Sequence, residues 1–352
     1  MKVKLCLFLA CVLGLLCLCS CHWEAILPKI TTDTTAARPE ETMDTDTSVS
    51  IEEPSPPRFT VDFDENEIFS TEAEEKAAKR IDPAIRKAVE VLNTAEIDLP
   101  PVLDCDYSAR PTERDRIKDP LTAEVYDIIL QKTAAFEPYH FSEKDYPGVD
   151  FFCVFVTAVD ALRIDRTDLF LYCDGIISGT EYYSGYYMPG DERPNLCDDI
   201  EAVRSEVAVC DAVAKRILDK MPRGMSNAEK CVYFAMVLSS AVEYNYEENY
   251  PRYDYQAYSA LVTGSAVCSG YAQAFYRLCR DAGISCWYCR GTTPAGRHAW
   301  NRLDTEEGPV YMDVTWYDPG ADLSDYRDGK EQYLFMTQED FDYFGYVQET
   351  CQ

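Results

Sequence analysis

The chain has 352 residues and carries 62 acidic against 33 basic side chains, a net charge of −29. This acidic excess leaves no basic patch to neutralise phosphates, which excludes nucleic-acid partners and charge-driven binding to anionic headgroups. Eleven of the 16 cysteines lie beyond residue 21, and they are too dispersed for the disulfide framework of a small domain. Most of them are predicted to be buried free thiols.

The first segment has the composition of a secretory signal. Two lysines precede an apolar run from Leu5 to Cys19, which is shorter than the ~20 residues that span a bilayer. The run ends in Leu-Cys-Ser-Cys, which resembles a bacterial lipoprotein processing box with Cys21 as the lipidated residue. We predict a signal peptide over 1–20 and an extracytoplasmic protein anchored to the cell membrane by lipid on Cys21. The alternative is a cleaved signal without lipid, or an uncleaved anchor.

The next segment, Thr31 to Pro57, is rich in Thr, Glu, Asp and Pro and poor in apolar residues. Such a composition cannot bury enough surface to fold, so residues 21–59 are predicted to be a disordered tether. The remaining chain is long enough for a large domain with an extension. We divide it into an N-terminal α/β extension of unknown role, 60–198, and a second domain, 199–352.

Helical spacing covers Thr71–Asn93, with an interruption predicted at Pro83. A second helix is predicted behind Asp119-Pro120, an N-cap followed by proline at the first helical position. Phe151–Leu162 is apolar and fits a helix or a strand equally well. Two short strands are predicted, at Leu169–Tyr172 and Tyr182–Tyr187.

From residue 199 the helical signals sharpen. An apolar stripe from Val203 to Leu218 predicts one helix, and Ser226 with Glu229 forms a capping box that opens another. Strand signals follow these helices towards the C-terminus. Helices first and strands later indicate the α+β class.

Cys268 stands where a third helix of this domain begins. Apolar residues recur at helical spacing after it, and Gly283 is a good C-terminal stop. At a helix start the unpaired N–H groups and the positive end of the dipole favour a thiolate over a thiol. Small residues at 264–266 leave room for substrate to approach the sulfur.

Strands carry the partners that a nucleophilic thiol needs. Ser285–Arg290 and Arg297–Leu303 flank a turn, and Val310–Trp316 is predicted as a third strand. If these strands are antiparallel neighbours, His298 and Asp313 lie side by side and face the start of the helix. Thiol, imidazole and carboxylate then follow the order nucleophile, base and orienting group.

Three motifs carry a family resemblance: Val-Cys-Ser-Gly-Tyr-Ala from Val267, His-Ala-Trp-Asn from His298, and Tyr-Met-Asp-Val-Thr-Trp-Tyr-Asp-Pro from Tyr311. Their order and spacing resemble the transglutaminase-like superfamily over residues 225–345. The resemblance implies a papain-like core, in which a helix bearing the cysteine packs on an antiparallel sheet bearing histidine and aspartate. It implies Cys268 as nucleophile, His298 as general base and acid, and Asp313 as the orienting carboxylate. The same resemblance implies structural positions for four further residues: Trp300, Asn301, Trp316 and Asp318.

The sequence signal for further site residues is less specific. Gln256 and Tyr258 are candidate side-chain donors to an oxyanion, beside the backbone N–H of Cys268, and Trp300 is a third candidate for substrate contact. Cys286 and Cys289 form a CxxC without a second pair, which we interpret as structural rather than redox-active or zinc-binding. With three histidines in the chain, a zinc site of the histidine type is not expected, and no metal or cofactor is predicted.

These residues predict a thiol enzyme that transfers an acyl group from an amide through a cysteine thioester. No sequence feature favours an amine acceptor over water, so hydrolysis of a peptide or protein, as by a cysteine protease or amidase, is the preferred function. A protein-glutamine transglutaminase and a non-catalytic, surface-anchored interaction module are the alternatives. The expected partners are a peptide or protein substrate and, through the lipid anchor, the membrane.

Overall fold

The computed structural model describes residues 56–64, 67–94, 99–106, 112–135, 137, 139–166, 174–178, 182–186, 200–247, 252–318 and 330–351. The predicted signal peptide, Cys21 and nearly all of the predicted tether lie outside the described residues, as does the predicted strand Leu169–Tyr172. Within the described ranges, no helix combines the length and apolar character needed to cross a membrane.

The first helix, α1, spans Glu72–Thr94. Glutamates in its first turn complement the positive end of the helix dipole. The interruption predicted at Pro83 is wrong, because the helix runs through this residue. Ile81 and Ile85 on either side of the proline are fully buried, and their packing offsets the hydrogen bond that proline cannot donate.

Residues 112–186 form helices and a small sheet around a cluster of their own. The elements are α2 (Glu113–Arg116), α3 (Pro120–Ala134), β1 (Tyr139–Ser142), α4 (Phe151–Asp165), β2 (Asp174–Ser178) and β3 (Tyr182–Tyr186). The predicted start of α3 is confirmed, since the Asp119 carboxylate accepts the N–H of Thr122 at 2.8 Å. The ambiguous segment from Phe151 is helical, and the strand predicted from Tyr182 is confirmed in an antiparallel sheet of order β1-β3-β2. We call the apolar interior of this region, which includes Val125, Phe151 and Phe155, the N-terminal cluster.

Three long helices follow, together with two short strands that pair with each other. They are α5 (Ile200–Asp219), α6 (Asn227–Ala241), β4 (Glu243–Tyr244), β5 (Ser265–Ala266) and α7 (Cys268–Asp281). The predicted capping box at the start of α6 is confirmed: Ser226 and Glu229 each accept the other's backbone N–H. Helix α7 ends before Gly283, whose φ of 73° is the left-handed conformation that glycine tolerates best.

The C-terminal sheet has the order β8-β7-β6-β9, and every neighbouring pair is antiparallel. Its strands and the short helices beside them are β6 (Cys286–Thr293), β7 (Gly296–Thr305), β8 (Gly308–Met312), α8 (Val314–Tyr317), α9 (Gln338–Tyr343) and β9 (Val347–Cys351). The turn predicted between β6 and β7 is confirmed. Helices followed by this antiparallel sheet confirm the α+β class.

Alternate residues of β7 enter two different clusters. Ala299 and Leu303 join the apolar side chains of α1, α5, α6 and α7 in what we call the central cluster. Trp300 joins Phe341 and Tyr346 in what we call the sheet cluster. Helix α1 therefore shares an interior with helices of the predicted domain 199–352, although it lies in the segment that composition assigned to the extension. The domain limits themselves stay a prediction.

Candidate active site

Cys268 is the first residue of α7 and is half-buried. The N–H of Val267 before it donates to the carbonyl of Asp254 at 3.0 Å, which fixes the entry of the chain into the helix. Gly270 in the first turn lies so close to this carbonyl that a β-carbon would stand 2.6 Å from the oxygen. The glycine after the cysteine thus lets the segment near Asp254 pack directly on the helix start. Gly270 donates the first hydrogen bond of the helix, to the carbonyl of Val267, so the N–H groups of Cys268 and Ser269 precede that bond and can face a developing negative charge.

A hydrogen-bond network supports this first turn. Ser269 Oγ and Gln273 Nε2 both donate to the carbonyl of Tyr255, at 2.7 and 2.9 Å. The Tyr288 hydroxyl lies 2.9 Å from Ser269 Oγ. Burial raises the pKa of Tyr288, and the neighbouring Cys268 raises it further, so this hydroxyl stays protonated beside the sulfur. Sequence reasoning missed Tyr288, because a tyrosine in a strand gives no signal that it contacts a helix start.

His298 lies on β7, and its imidazole is buried against an aromatic wall. Its ring stacks on Trp316 with 4.9 Å between centroids. Nε2 of His298 lies 2.6 Å from Oδ2 of Asp313. This contact leaves the other ring nitrogen, Nδ1, for the Cys268 sulfur, with which the imidazole also interacts. The structure thus brings the three residues of the predicted triad together.

Asp313 reaches the imidazole from a position that differs from the predicted one. The strand expected to run to Trp316 is wrong beyond Met312, where β8 ends. Asp313 is instead the N-cap of α8, and its Oδ1 accepts the N–H of Trp316 at 3.0 Å. An aspartate that can accept an N–H three residues on favours a helix start over a continuing strand. Its carboxylate is fully buried: Oδ1 contacts the N–H of Trp316, and Oδ2 contacts Nε2 of His298.

Opposite charge around His298 outweighs the effect of its burial. Burial lowers the pKa of His298, but the Asp313 carboxylate and the Cys268 sulfur together raise it to about 10. An imidazole with this pKa is protonated near neutral pH. The charged imidazole of His298 therefore faces the Asp313 carboxylate on one side and the Cys268 sulfur on the other, an arrangement that suits a reactive cysteine.

A second donor reaches the same carboxylate oxygen. The Tyr346 hydroxyl lies 2.6 Å from Asp313 Oδ2 and is buried with it. Sequence reasoning missed Tyr346 because it lies 33 residues beyond the aspartate, outside the three motifs. No local pattern predicts this contact, which depends on β9 lying beside β6 in the sheet.

The three predicted substrate contacts have different surroundings. Gln256 is buried, and its carbonyl would stand 3.2 Å from a β-carbon built on Gly270, so its backbone lies against the first turn of α7. Tyr258 is half-buried and packs on the central cluster. The substrate contact predicted for Trp300 is wrong. Its side chain is fully buried in the sheet cluster beside His298, so it has no surface for a substrate.

The remaining motif residues tie elements together. Asn301 Nδ2 donates to the carbonyl of Ala272 at 3.0 Å, which couples β7 to α7. The Tyr271 hydroxyl donates to Asp318 at 2.8 Å and so links α7 to the segment after α8. These contacts hold the helix that bears the sulfur in register with the segments that bear the imidazole and the carboxylate.

Among the residues that the structure describes, no group of three or more His, Cys, Asp or Glu side chains is arranged to hold a metal ion. Cys286 is a buried thiol outside any disulfide, whereas Cys289 is disulfide-bonded. The two cysteines of the CxxC are therefore not bonded to each other. Cys289 lies opposite Cys351 in the register of β6 and β9.

Comparison with known proteins finds that part of the chain is similar to a family. The family model described as the transglutaminase-like superfamily matches residues 212–318. Kyphoscoliosis peptidase from Mus musculus is 28% identical over 162 residues, which cover 42% of this chain and 24% of the mouse protein. The chain thus matches about a quarter of the length of that relative. A crystal structure from Cytophaga hutchinsonii, whose description proposes a cysteine protease, is 15% identical, with a TM-score of 0.26 over 44% of this chain and 68% of that one.

Proposed function

We propose that the chain is a cysteine hydrolase that cleaves amide bonds of peptides or proteins through a thioester on Cys268. The observation that carries this proposal is the buried His298–Asp313 pair, joined at 2.6 Å, next to a half-buried cysteine at a helix start. The family match over residues 212–318 supports a chemistry based on cysteine. A relative over part of the chain is named a peptidase, which supports an amide substrate.

Each step can be assigned to these side chains. The Cys268 thiolate attacks the carbonyl carbon of the scissile amide, and the oxygen takes up the displaced electron pair. The imidazolium of His298 gives its proton to the leaving nitrogen, the C–N bond breaks, and a thioester with a free amine results. The now neutral imidazole takes a proton from water, whose oxygen attacks the thioester. The C–S bond then breaks, releasing a carboxylic acid and restoring the thiolate beside the imidazolium.

The developing oxyanion needs donors that are already in place. The backbone N–H of Cys268 is one candidate, because it precedes the first hydrogen bond of α7, which Gly270 donates to Val267. The Gln256 side chain is the second, because its backbone lies against the first turn of the helix. Tyr258 is a weaker candidate, since its ring packs on the central cluster.

The decisive experiment compares two acceptors for the same thioester. Purified protein from residue 59 onward is given a panel of fluorogenic peptides and, separately, a glutamine-containing protein with a labelled primary amine. We expect peptide hydrolysis that Cys268→Ala abolishes, while the matched variant Cys153→Ala, which removes an exposed cysteine, retains it. Amine incorporation without hydrolysis would instead identify a transglutaminase.

A non-catalytic surface module is tested without any substrate. The rate at which iodoacetamide alkylates Cys268 is followed by mass spectrometry of the peptide that contains it. A thiolate paired with imidazolium reacts well below the ordinary thiol pKa of about 8.5, so we expect rapid alkylation at about pH 6. A rate equal to that of Cys153 at this pH would favour the interaction module.

We further propose that the enzyme is a lipoprotein that acts outside the cytoplasm, on cell-wall peptides or secreted proteins. Support comes from the apolar N-terminal run and its Leu-Cys-Ser-Cys ending, with Cys21 as the modified residue. Labelling of cells with a fatty-acid analogue should mark the wild-type protein and not Cys21→Ala. Equal labelling of both proteins would contradict the anchor.

A further inference from the structure

The Tyr346 hydroxyl lies in the interior of the candidate site, although it belongs to none of the three motifs. Tyr346 is 4% exposed, and its hydroxyl lies 2.6 Å from Oδ2 of Asp313. The same oxygen lies 2.6 Å from Nε2 of His298. One carboxylate oxygen therefore bridges a phenol and an imidazole, both shielded from water.

The direction of this hydrogen bond follows from the chemistry of the partners. An ionised carboxylate can only accept, so the phenol donates. Burial raises the pKa of Tyr346, and the nearby Asp313 charge raises it further, so the proton stays on the phenol. A neutral donor to a buried carboxylate forms one of the stronger classes of protein hydrogen bond.

The two carboxylate oxygens of Asp313 accept hydrogen bonds from different donors. Oδ1 accepts the N–H of Trp316 at 3.0 Å, which fixes one end of the carboxylate. Oδ2 accepts from Tyr346, which prevents the group from rotating and leaves Oδ2 directed at the imidazole. A buried carboxylate held by two donors besides the histidine keeps its charge and its direction together.

Tyr346 reaches the site because strands β6 and β9 approach each other closely. Gly345 has a φ of 75° and turns the chain into β9. Strand β9 pairs with β6 at Gly291, where a β-carbon would overlap the carbonyl oxygen of Val347 and crowd the Trp300 ring. The Tyr346 ring packs edge-on against Trp300, with 5.1 Å between centroids. Glycine in β6 is thus required for the phenol to reach the carboxylate.

We propose that Tyr346 is a positioning residue of this site, which holds the Asp313 carboxylate charged and directed at His298 and so sustains the thiolate–imidazolium pair. The catalytic importance of Tyr346 rests on the proposed function, but the effect of Tyr346 on the thiolate–imidazolium pair can be measured without turnover. Three side chains and one backbone N–H face the carboxylate: the side chains are His298 from β7, Tyr333 from the turn at 330–333 and Tyr346 just before β9, and the N–H is that of Trp316 in α8. Cys268 acts on it through the imidazole.

The test is the pH profile of Cys268 alkylation by iodoacetamide in Tyr346→Phe, read by mass spectrometry of the Cys268 peptide. The variant keeps the ring and removes the donor. We expect the rate at about pH 6 to fall about tenfold, as for loss of a hydrogen bond to a charged group, and the acidic limb to move to higher pH. In the peptide assay we expect kcat to fall by a similar factor with KM unchanged.

Tyr311→Phe is the matched control. Tyr311 lies in the same sheet cluster at 5% exposure, and its hydroxyl donates to Gln338 at 2.7 Å, away from Asp313. A general loosening of the cluster would affect both variants alike, so Tyr311→Phe should keep the wild-type profile. On an Asp313→Asn background, Tyr346→Phe should add no further change, because the group it positions is gone.

Should Tyr346→Phe fail to fold, 3-fluorotyrosine inserted at position 346 is the second test. It is nearly the same size and a stronger donor, so the acidic limb should move to lower pH. The proposal is overturned if folded Tyr346→Phe matches Tyr311→Phe in its profile, or if the fluorinated protein does not shift. If the profile shifts as expected while no peptide or amine is turned over, the proposed function fails and the role of Tyr346 on the ion pair stands.

Discussion

The N-terminal cluster and the candidate site are both well-packed interiors, but they differ in whether the aspartates beside them are exposed or buried. In the N-terminal region, Asp119 and Asp150 are exposed and serve as helix caps at the edge of an apolar cluster. In the candidate site, Asp313 is fully buried and faces a buried His298. Burying an ion pair costs desolvation that packing alone would avoid, so a buried histidine–aspartate pair beside a cysteine is a candidate functional site. The contrast supports the proposed function and makes it testable.

The largest effect should come from neutralising the buried carboxylate. Asp313→Asn keeps the shape but cannot stabilise the imidazolium, so we expect kcat for peptide hydrolysis to fall roughly 10³- to 10⁴-fold. Asp340 is an exposed residue of the capping box that opens α9, where its carboxylate accepts the N–H of Thr337 at 2.9 Å, and it provides the control Asp340→Asn. An equal loss in both variants would contradict a special role for the buried contact between Asp313 and His298.

A cavity in the N-terminal cluster should separate stability from reactivity. Phe155 is 2% exposed, and Phe155→Ala should lower the free energy of unfolding in urea by about 3 to 5 kcal/mol. At temperatures where the protein stays folded, the alkylation rate of Cys268 should not change. Phe275→Ala in α7, within the central cluster, should lower stability comparably and also slow alkylation. Slower alkylation in folded Phe155→Ala would show that the two interiors are coupled.

The dependence of stability on pH should reveal the buried imidazolium. The folded-state pKa of His298, about 10, lies above the ordinary value of about 6.5. Its protonation therefore contributes stability that is complete below about pH 6.5 and is lost as the pH rises through about 10. We expect the Tm of the wild type to exceed that of His298→Gln by several degrees at about pH 6.5, and this difference to shrink as the pH rises towards about 10. A constant difference across this range would contradict a charged histidine.

The smallest effect should come from the exposed caps. Asp119→Ala removes an N-cap from α3 and should cost about 1 kcal/mol in urea unfolding, with an unchanged alkylation rate. Ser226→Ala, which removes the cap of α6, should cost about the same although its helix belongs to the central cluster. A much larger loss for either variant would mean that the residue does more than end a helix.

Much of the site was predictable from sequence because its signals are local. The apolar spacing after Cys268 and the glycine at 283 define α7 from neighbouring residues alone, and the turn after Thr293 defines the β6–β7 hairpin. The strand limit after Met312 was predicted wrongly, because strand propensity is weaker than a cap that Asp313 makes with its own neighbours. The continuous α1 was missed for a related reason, since burial on both sides of Pro83 outweighs a local rule.

The sequence by itself predicted which residues are chemically equipped to act: a cysteine at a helix start, a histidine on a strand, and an aspartate in the segment that includes the next strand. It could do so because capping, periodicity and turns are encoded by residues close together in the chain. Only the tertiary structure decided how the carboxylate is held, which tyrosine reaches it, and that α1 completes the central cluster. Those outcomes depend on pairings between distant segments, such as β9 with β6, whose register follows from the packing of the whole interior.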